Sequence, residues 1–364
     1  MWPLIDSFIV TGDRIVANQF LNDYTRHPFV LKAALQHLVG GTRGLVSPDE
    51  SEWHSSRTTM RSVFSVTNVQ RFVPNMAQYS MHLRNALLQR AKDGTSFPII
   101  DPVEKWGADL TFCYLLGEDT GVQAGGWGAE ANAQVQELIS QAEHPFSVNP
   151  WTAYQQKQVR SRCQDRVRLM LQTALIDALK RDKPVVDGEF LALIDSLAAK
   201  YKEEYPGRKE WDADMLTQHV DTLATLFLAA DVSSMVLTYV YCHIAQDPKV
   251  AEELRKEHNA VFPGDAQATL EALRQNPSKL KELAYTNAVI KESMRLRPPG
   301  ISGTSAPRGY VNLEQKSVSG EEINLTSWPL TDIRSTSKGL NILSMDYMYV
   351  PFSMFPSNDH YTSN

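Results

Sequence analysis

From Asp212 to Ala245 the chain sustains one helical pattern for longer than anywhere else along its length. At 1.5 Å per residue such a helix spans about 50 Å. Its middle, Leu223-Ala-Thr-Leu-Phe-Leu-Ala-Ala230, is apolar on every side, so it is expected to cross the interior of the fold. A buried helix of that length needs a large core around it. The 364 residues, 43% hydrophobic and 21% charged, are enough to build one.

Other segments supply the helical surroundings. Between Val69 and Ala91, Phe72, Met76, Tyr79, Leu83 and Leu87 recur at threes and fours, the spacing of an amphipathic helix. Further helices are predicted at 15–21, 102–116, 129–142, 152–181 and 188–203. Pro248 opens another, ended at Phe262-Pro-Gly-Asp, and Lys281 to Arg297 forms a last one, stopped by Pro298-Pro-Gly300. Ser7-Phe-Ile-Val-Thr11 and Asp346-Tyr-Met-Tyr-Val-Pro-Phe352 read as strands, and residues 301–345 lose periodicity. No internal repeat or low-complexity linker divides the chain. The expectation is one mainly α domain with small β-sheets over residues 1–364.

Composition narrows the function classes. The formal net charge is −6 and no Lys/Arg run interleaves with aromatics, which argues against a nucleic-acid partner. Cys113, Cys163 and Cys242 stand far apart, so they read as small buried hydrophobes rather than a disulfide framework. Cys242 and His243 are neighbours, but no second pair at ligand spacing supports zinc, and no metal cluster is expected. No run of roughly 18 apolar residues is present, and Met1-Trp-Pro-Leu-Ile-Asp carries no basic n-region, so a cytoplasmic chain is expected. Without a secretory context, the sequon Asn324-Leu-Thr326 reads as chance.

Four segments carry chemistry. In Glu52-Trp53-His-Ser-Ser-Arg57-Thr-Thr-Met-Arg61, Trp53 and Arg57 lie one helical turn apart on one face and can reach a common carboxylate. The bland alternative is a surface arginine beside a half-buried tryptophan. In Phe227-Leu-Ala-Ala-Asp231-Val-Ser-Ser234 an acid and two hydroxyls interrupt the apolar helix, either for proton transfer or simply bending a buried helix. In Ala288-Val-Ile-Lys-Glu292-Ser-Met-Arg295-Leu-Arg-Pro-Pro299, Glu292 and Arg295 at i and i+3 can form a charge-assisted pair, or a solvated surface pair of little consequence. Met348-Tyr-Val-Pro-Phe-Ser-Met354 closes the set as a strand.

In this order and spacing the four segments resemble the cytochrome P450 family of haem-thiolate monooxygenases, and the text near Lys249–Gly264 resembles fungal members. The resemblance implies the mainly helical fold of that family. By it, Trp53 and Arg57 hold haem propionates, Asp231 and Ser233 relay protons, and Glu292 with Arg295 is a structural pair. Arg308, the nearest arginine after the Pro-Pro, is the candidate for a further propionate contact. Counting back from Gln246-Asp-Pro248 puts Asp231 on the family's acid position and Val232 on its usual hydroxyl position. A one-residue slip would put Ser233 on the hydroxyl instead, so this sequence departs from the pattern either way.

The resemblance further implies a small lipophilic substrate, in fungi often a secondary metabolite, and electrons from an NADPH-dependent reductase partner. Full-length relatives are expected on the endoplasmic reticulum membrane. The family's F-x-x-G-x-R-x-C-x-G segment does not occur, and no cysteine follows Cys242. The sequence therefore reads as a member truncated at both ends, without the thiolate that ligates haem iron, and inactive as this chain. None of the nine histidines stands at a spacing that suggests a replacement. The reading from another class is a non-enzymatic helical remnant that binds a lipophile or a protein partner.

Overall fold

The computed structural model describes residues 35–94, 96–143, 149–181, 186, 188–228, 230–297, 313–316 and 322–325; for Ala230, Asp231 and residues 313–325 the description covers the backbone alone. Residues divide into two compact units: Ala33–Pro299, and a second made of Met1–Lys32 with Gly300–Asn364.

The first unit carries the helices: α1 (Glu50–Met60), α2 (Val66–Asp93), α3 (Ile100–Leu116), α4 (Trp127–Glu143), α5 (Pro150–Lys180), α6 (Leu193–Glu204), α7 (Ala213–Leu228), α8 (Ala230–Gln246), α9 (Pro248–Val261), α10 (Ala266–Gln275) and α11 (Ala284–Leu296). Short 3-10 turns stand at Gly44–Val46 and Pro277–Glu282. The ends are built by side-chain caps. Asp49, Ser65, Asn149, Asp247 and Asp265 each accept a backbone N–H of the first turn that follows, groups with no partner inside the helix.

α3 is the centre of the unit. Val103, Ala108, Phe112, Cys113, Tyr114, Leu115 and Leu116 are all buried, so it is covered on most of its circumference by α2, α4, α6, α7 and α8. α5 contributes Cys163, Val167, Leu171, Leu175 and Leu179, a stripe at every fourth residue. Phe112 stacks on Phe227 of α7 with ring centroids 4.3 Å apart, and Phe72, Tyr114 and Phe190 close a second aromatic cluster at 4.6–5.0 Å. Cys113 and Cys163 are indeed buried hydrophobes in this core.

Two expectations change in detail. The long 212–245 element is described as α7 and α8, with residue 229 outside the described residues. By length and composition Ala213–Gln246 would suffice to cross a membrane, but α7 sits in the protein core through Val220, Leu223, Ala224 and Phe227. α8 is covered less completely: Ser234 and Val240 are buried, whereas Val232 is 43% exposed. The second change is α10, which the sequence reading passed over. It is a helix of nearly three turns capped by Asp265, and it packs Leu273 with Val73, Phe262 and Leu283 into a small separate core.

In the second unit the described residues form one antiparallel pair, β1 (Leu313–Lys316) with β2 (Glu322–Leu325), in the register Leu313↔Leu325 to Lys316↔Glu322. The expected strands at 7–11 and 346–352, the helix at 15–21, and Arg308 lie outside the described residues.

Candidate functional site

The site begins with α1, whose two faces are set by its 3.6-residue period. Glu52, Ser56 and Met60 recur at every fourth position on the inward side, with Ser56 and Met60 buried. Trp53 and Arg57 follow one position later and so share the adjacent, outer stripe. Trp53 is half-buried and Arg57 exposed, with the guanidinium carbon 5.3 Å from the indole centroid. That is a cation–π contact, which orients the planar donor without using its N–H groups. Among the described residues no carboxylate lies within ion-pair distance of Arg57. The outer face of α1 therefore offers an oriented, uncommitted guanidinium beside an aromatic ring, a suitable cradle for an external carboxylate.

The inner side is committed to protein. Glu52 Oε1 accepts from Arg43 Nε at 2.8 Å and from the Gly44 N–H at 3.0 Å, and Oε2 accepts from Ser47 Oγ at 2.8 Å. Desolvation pushes the Glu52 carboxyl up, but these donors outweigh it and hold the group below its ordinary value. Ser56 Oγ accepts from Gln218 Nε2 of α7 at 2.9 Å, and the Thr59 carbonyl accepts from Lys200 Nζ of α6. The 43–47 segment is itself pinned to α7: Asp221, 1% exposed, accepts the Arg43 N–H at 2.9 Å and pairs with Arg168 of α5. Close backbone approach makes this possible. A Cβ on Gly41 would fall 2.2 Å from the Asp221 carboxylate, and Gly44 has φ +67° with Thr222 Oγ1 against it.

On α8 the backbone of Asp231 is described without its side chain, and Ser233 is exposed beside Val232. Glu292 and Arg295 do pair on α11, at 2.7 and 2.8 Å in a bidentate geometry, with side chains 55% and 67% exposed. Next to them, buried Ser293 binds His243 Nδ1 of α8 at 3.0 Å, tying the two helices together. The structure places Trp53 with Arg57 and Glu292 with Arg295. The sequence reading assigned no role to Arg43, Glu52, Gln218, Asp221 or Arg168. One signal for Asp221 was available: an acid just before the apolar run at Leu223–Leu228 needs a partner if that run is buried.

A haem fits these residues in part. The Trp53–Arg57 face suits a carboxylate edge. Cys113 and Cys163 are buried among core side chains and so present no thiolate to an external iron. Cys242 lies about 15 Å along α8 from residue 232 at helical rise. Among the described residues no group of three or more His, Cys, Asp or Glu side chains could hold a metal ion.

A central helix ringed by long helices, with an aromatic–arginine pair on a short capped helix, defines a mainly α protein. Residues 7–309 match the family model for Cytochrome P450, and the chain belongs to that family. Cytochrome P450 monooxygenase acrF of Aspergillus aculeatus is 24% identical over 312 residues, 84% of this chain and 61% of its own length. Cytochrome P450 monooxygenase ptmJ of Penicillium ochrochloron is 23% identical over 302 residues, 81% of this chain and 55% of its own length. The crystal structure of a cytochrome P450 (CYP102L1) shares the fold at TM-score 0.57 and 16% identity, over 73% of this chain and 57% of that one. The chain thus spans 55–61% of the length of these curated relatives.

Proposed function

We propose that this chain is the helical part of a fungal-type cytochrome P450 monooxygenase that oxidises a small lipophilic, secondary-metabolite-like substrate with electrons from an NADPH-dependent reductase. The observation that carries the reading is the family match across residues 7–309, joined by the Trp53–Arg57 pair on α1 at the position where the family binds haem carboxylates. Haem, when bound through a thiolate, supplies the redox chemistry of such an enzyme. The chain's own residues would do the rest. Trp53 and Arg57 hold the propionate edge, with Arg308 as a further donor. Asp231 and Ser233 pass protons on α8, and Glu292 with Arg295 fastens α11 to what packs over it. One cytochrome P450 domain covering residues 1–364, with the small sheets of that fold, goes with this reading, as does a cytoplasmic location for the chain by itself.

By itself the 364-residue chain is expected not to catalyse, since the family's F-x-x-G-x-R-x-C-x-G segment does not occur in it and Cys113 and Cys163 are buried in the core. The test is a carbon-monoxide difference spectrum of the reduced protein with added haemin. The band characteristic of thiolate-ligated haem would refute the inactivity, and failure of Arg57→Ala to alter haemin uptake would refute the haem site.

A second reading, binding of a lipophile without catalysis, is favoured by an open apolar cleft of about 560 Å³ between α2, α3 and α8, lined by Leu83, Leu87, Trp106, Leu237 and Tyr241. Haem-free, monodisperse protein that quenches or enhances a bound hydrophobic fluorophore, with the signal lost in Leu237→Arg, would favour it.

A further inference from the structure

We infer that Glu52, with Gln218 and Asp221, forms a positioning set that fixes the rotation of α1 about its axis and thereby aims Arg57 at a haem propionate. The inference rests on the haem reading above and deepens it.

Three separate elements grip one side of α1. The 43–47 segment holds Glu52 through Arg43, Gly44 and Ser47; α7 holds Ser56 through Gln218; α6 holds the Thr59 carbonyl through Lys200. The first grip is carried onward to the core, because Asp221 accepts the Arg43 N–H and is paired with Arg168. Glu52 and Ser56 are four residues apart, so the grips act along one stripe, and a helix held along one stripe cannot roll. Trp53 and Arg57 are the next residue after each gripped position. The direction of the guanidinium is therefore set by the neighbours immediately before it in sequence.

The geometry is demanding enough for this to matter. A guanidinium tip lies roughly 8 Å from the helix axis, so a roll of roughly 20° sweeps it through roughly 3 Å, more than the tolerance of a hydrogen bond. The local cation–π contact with Trp53 cannot prevent such a roll, because indole and guanidinium ride on the same helix. Contacts to other elements can, and among them are the hydrogen bonds of Glu52, Ser56 and Thr59 and the burial of Met60 in the core.

The experiment uses the full chain and two probes, haemin and haemin dimethyl ester, whose propionates carry no charge. Affinities are read by difference absorbance for the wild type, Arg57→Ala, Glu52→Ala, Glu52→Gln and the double variant Glu52→Ala/Arg57→Ala, with thermal melts as a check of folding. Arg57→Ala should weaken haemin binding roughly tenfold, the effect of losing one hydrogen bond to a charged group, and leave the ester unchanged. Glu52→Ala should do the same, Glu52→Gln should restore most of the loss by keeping an acceptor for the Gly44 N–H, and the double variant should be no worse than either single.

Equal losses for haemin and ester in Glu52→Ala would mean general damage to the fold and overturn the inference. So would additive losses in the double variant, or haemin affinity unchanged in Glu52→Ala while Arg57→Ala is weakened; in those cases the haem reading itself survives. If Arg57→Ala has no effect, or the wild type binds neither probe, the haem reading fails and the inference with it. Should Glu52→Ala not fold, Gln218→Ala, which cuts only the Ser56 grip, carries the same comparison.

Discussion

Replacing His219 with phenylalanine should remove a large part of the acid sensitivity of this protein. His219 lies on α7, 9% exposed, with its ring edge-on to Trp211 at 5.2 Å between centroids. Burial lowers its pKa from 6.5 to about 4, because the imidazolium would lose its hydration without gaining a carboxylate partner. The sign follows from proton uptake. Between about 6.5 and about 4 the unfolded chain binds a proton at this histidine and the folded chain does not, so stability falls as pH falls through that window. Above 6.5 both states are neutral and below about 4 both are charged, so the effect is flat outside it. At 1.36 kcal/mol per unit, a shift of this size is worth about 3 kcal/mol.

The assay is urea denaturation at a series of pH values from 7.5 to 4, comparing the wild type with His219→Phe, which keeps the aromatic contact to Trp211 and cannot titrate. Other groups titrate alike in both proteins, so the difference between the two curves isolates His219. The variant should gain about 3 kcal/mol on the wild type between pH 7 and pH 4. Parallel curves would refute the reasoning and mean that the imidazolium is accommodated in the folded protein.

Asp221→Ala should cost about 3–5 kcal/mol in denaturant unfolding, because it leaves Arg168 and the Arg43 N–H without their acceptor in a largely buried place. Phe227→Ala empties a site that is 0% exposed and removes the stack on Phe112, for an expected loss of about 3–5 kcal/mol by thermal or chemical melt. Glu292→Ala should shift stability by less than about 1 kcal/mol in this chain, since its bidentate pair with Arg295 is more than half exposed on both sides. A larger loss would show that something covers the pair in solution.

How much of this was legible beforehand differs from element to element. The spans read at 102–116, 129–142 and 152–181 correspond to α3, α4 and α5 within two residues at each end, because apolar periodicity and caps are local properties. α2 runs from Val66 to Asp93 with Pro74 in its interior, a break that the apolar spacing on either side overrides. α10 went unread because its stripe is short and only Leu270 and Leu273 are buried. The start of α6 at Leu193, not 188, has a tertiary cause. The Leu191 N–H and carbonyl are both taken by buried Asn68 of α2, at 2.9 and 2.8 Å, which holds the preceding residues out of the helix.

The candidate site shows the same division. That Trp53 and Arg57 share a face, and that Glu292 can reach Arg295, follow from residue spacing on a helix and needed no three-dimensional information. The amino-acid sequence also determined the family, through the order of its motifs. What it could not determine is how the rest of the fold grips α1 through Glu52, Ser56 and Thr59. Glu52 finds Arg43, Gly44 and Ser47 within a few residues, but the anchor beneath them is Asp221, 178 residues from Arg43, and that carboxylate is held in turn by Arg168 on α5. Contacts between residues so far apart exist only once α5 and α7 have packed, because their geometry is set by the shape of the core and not by any local preference of the chain.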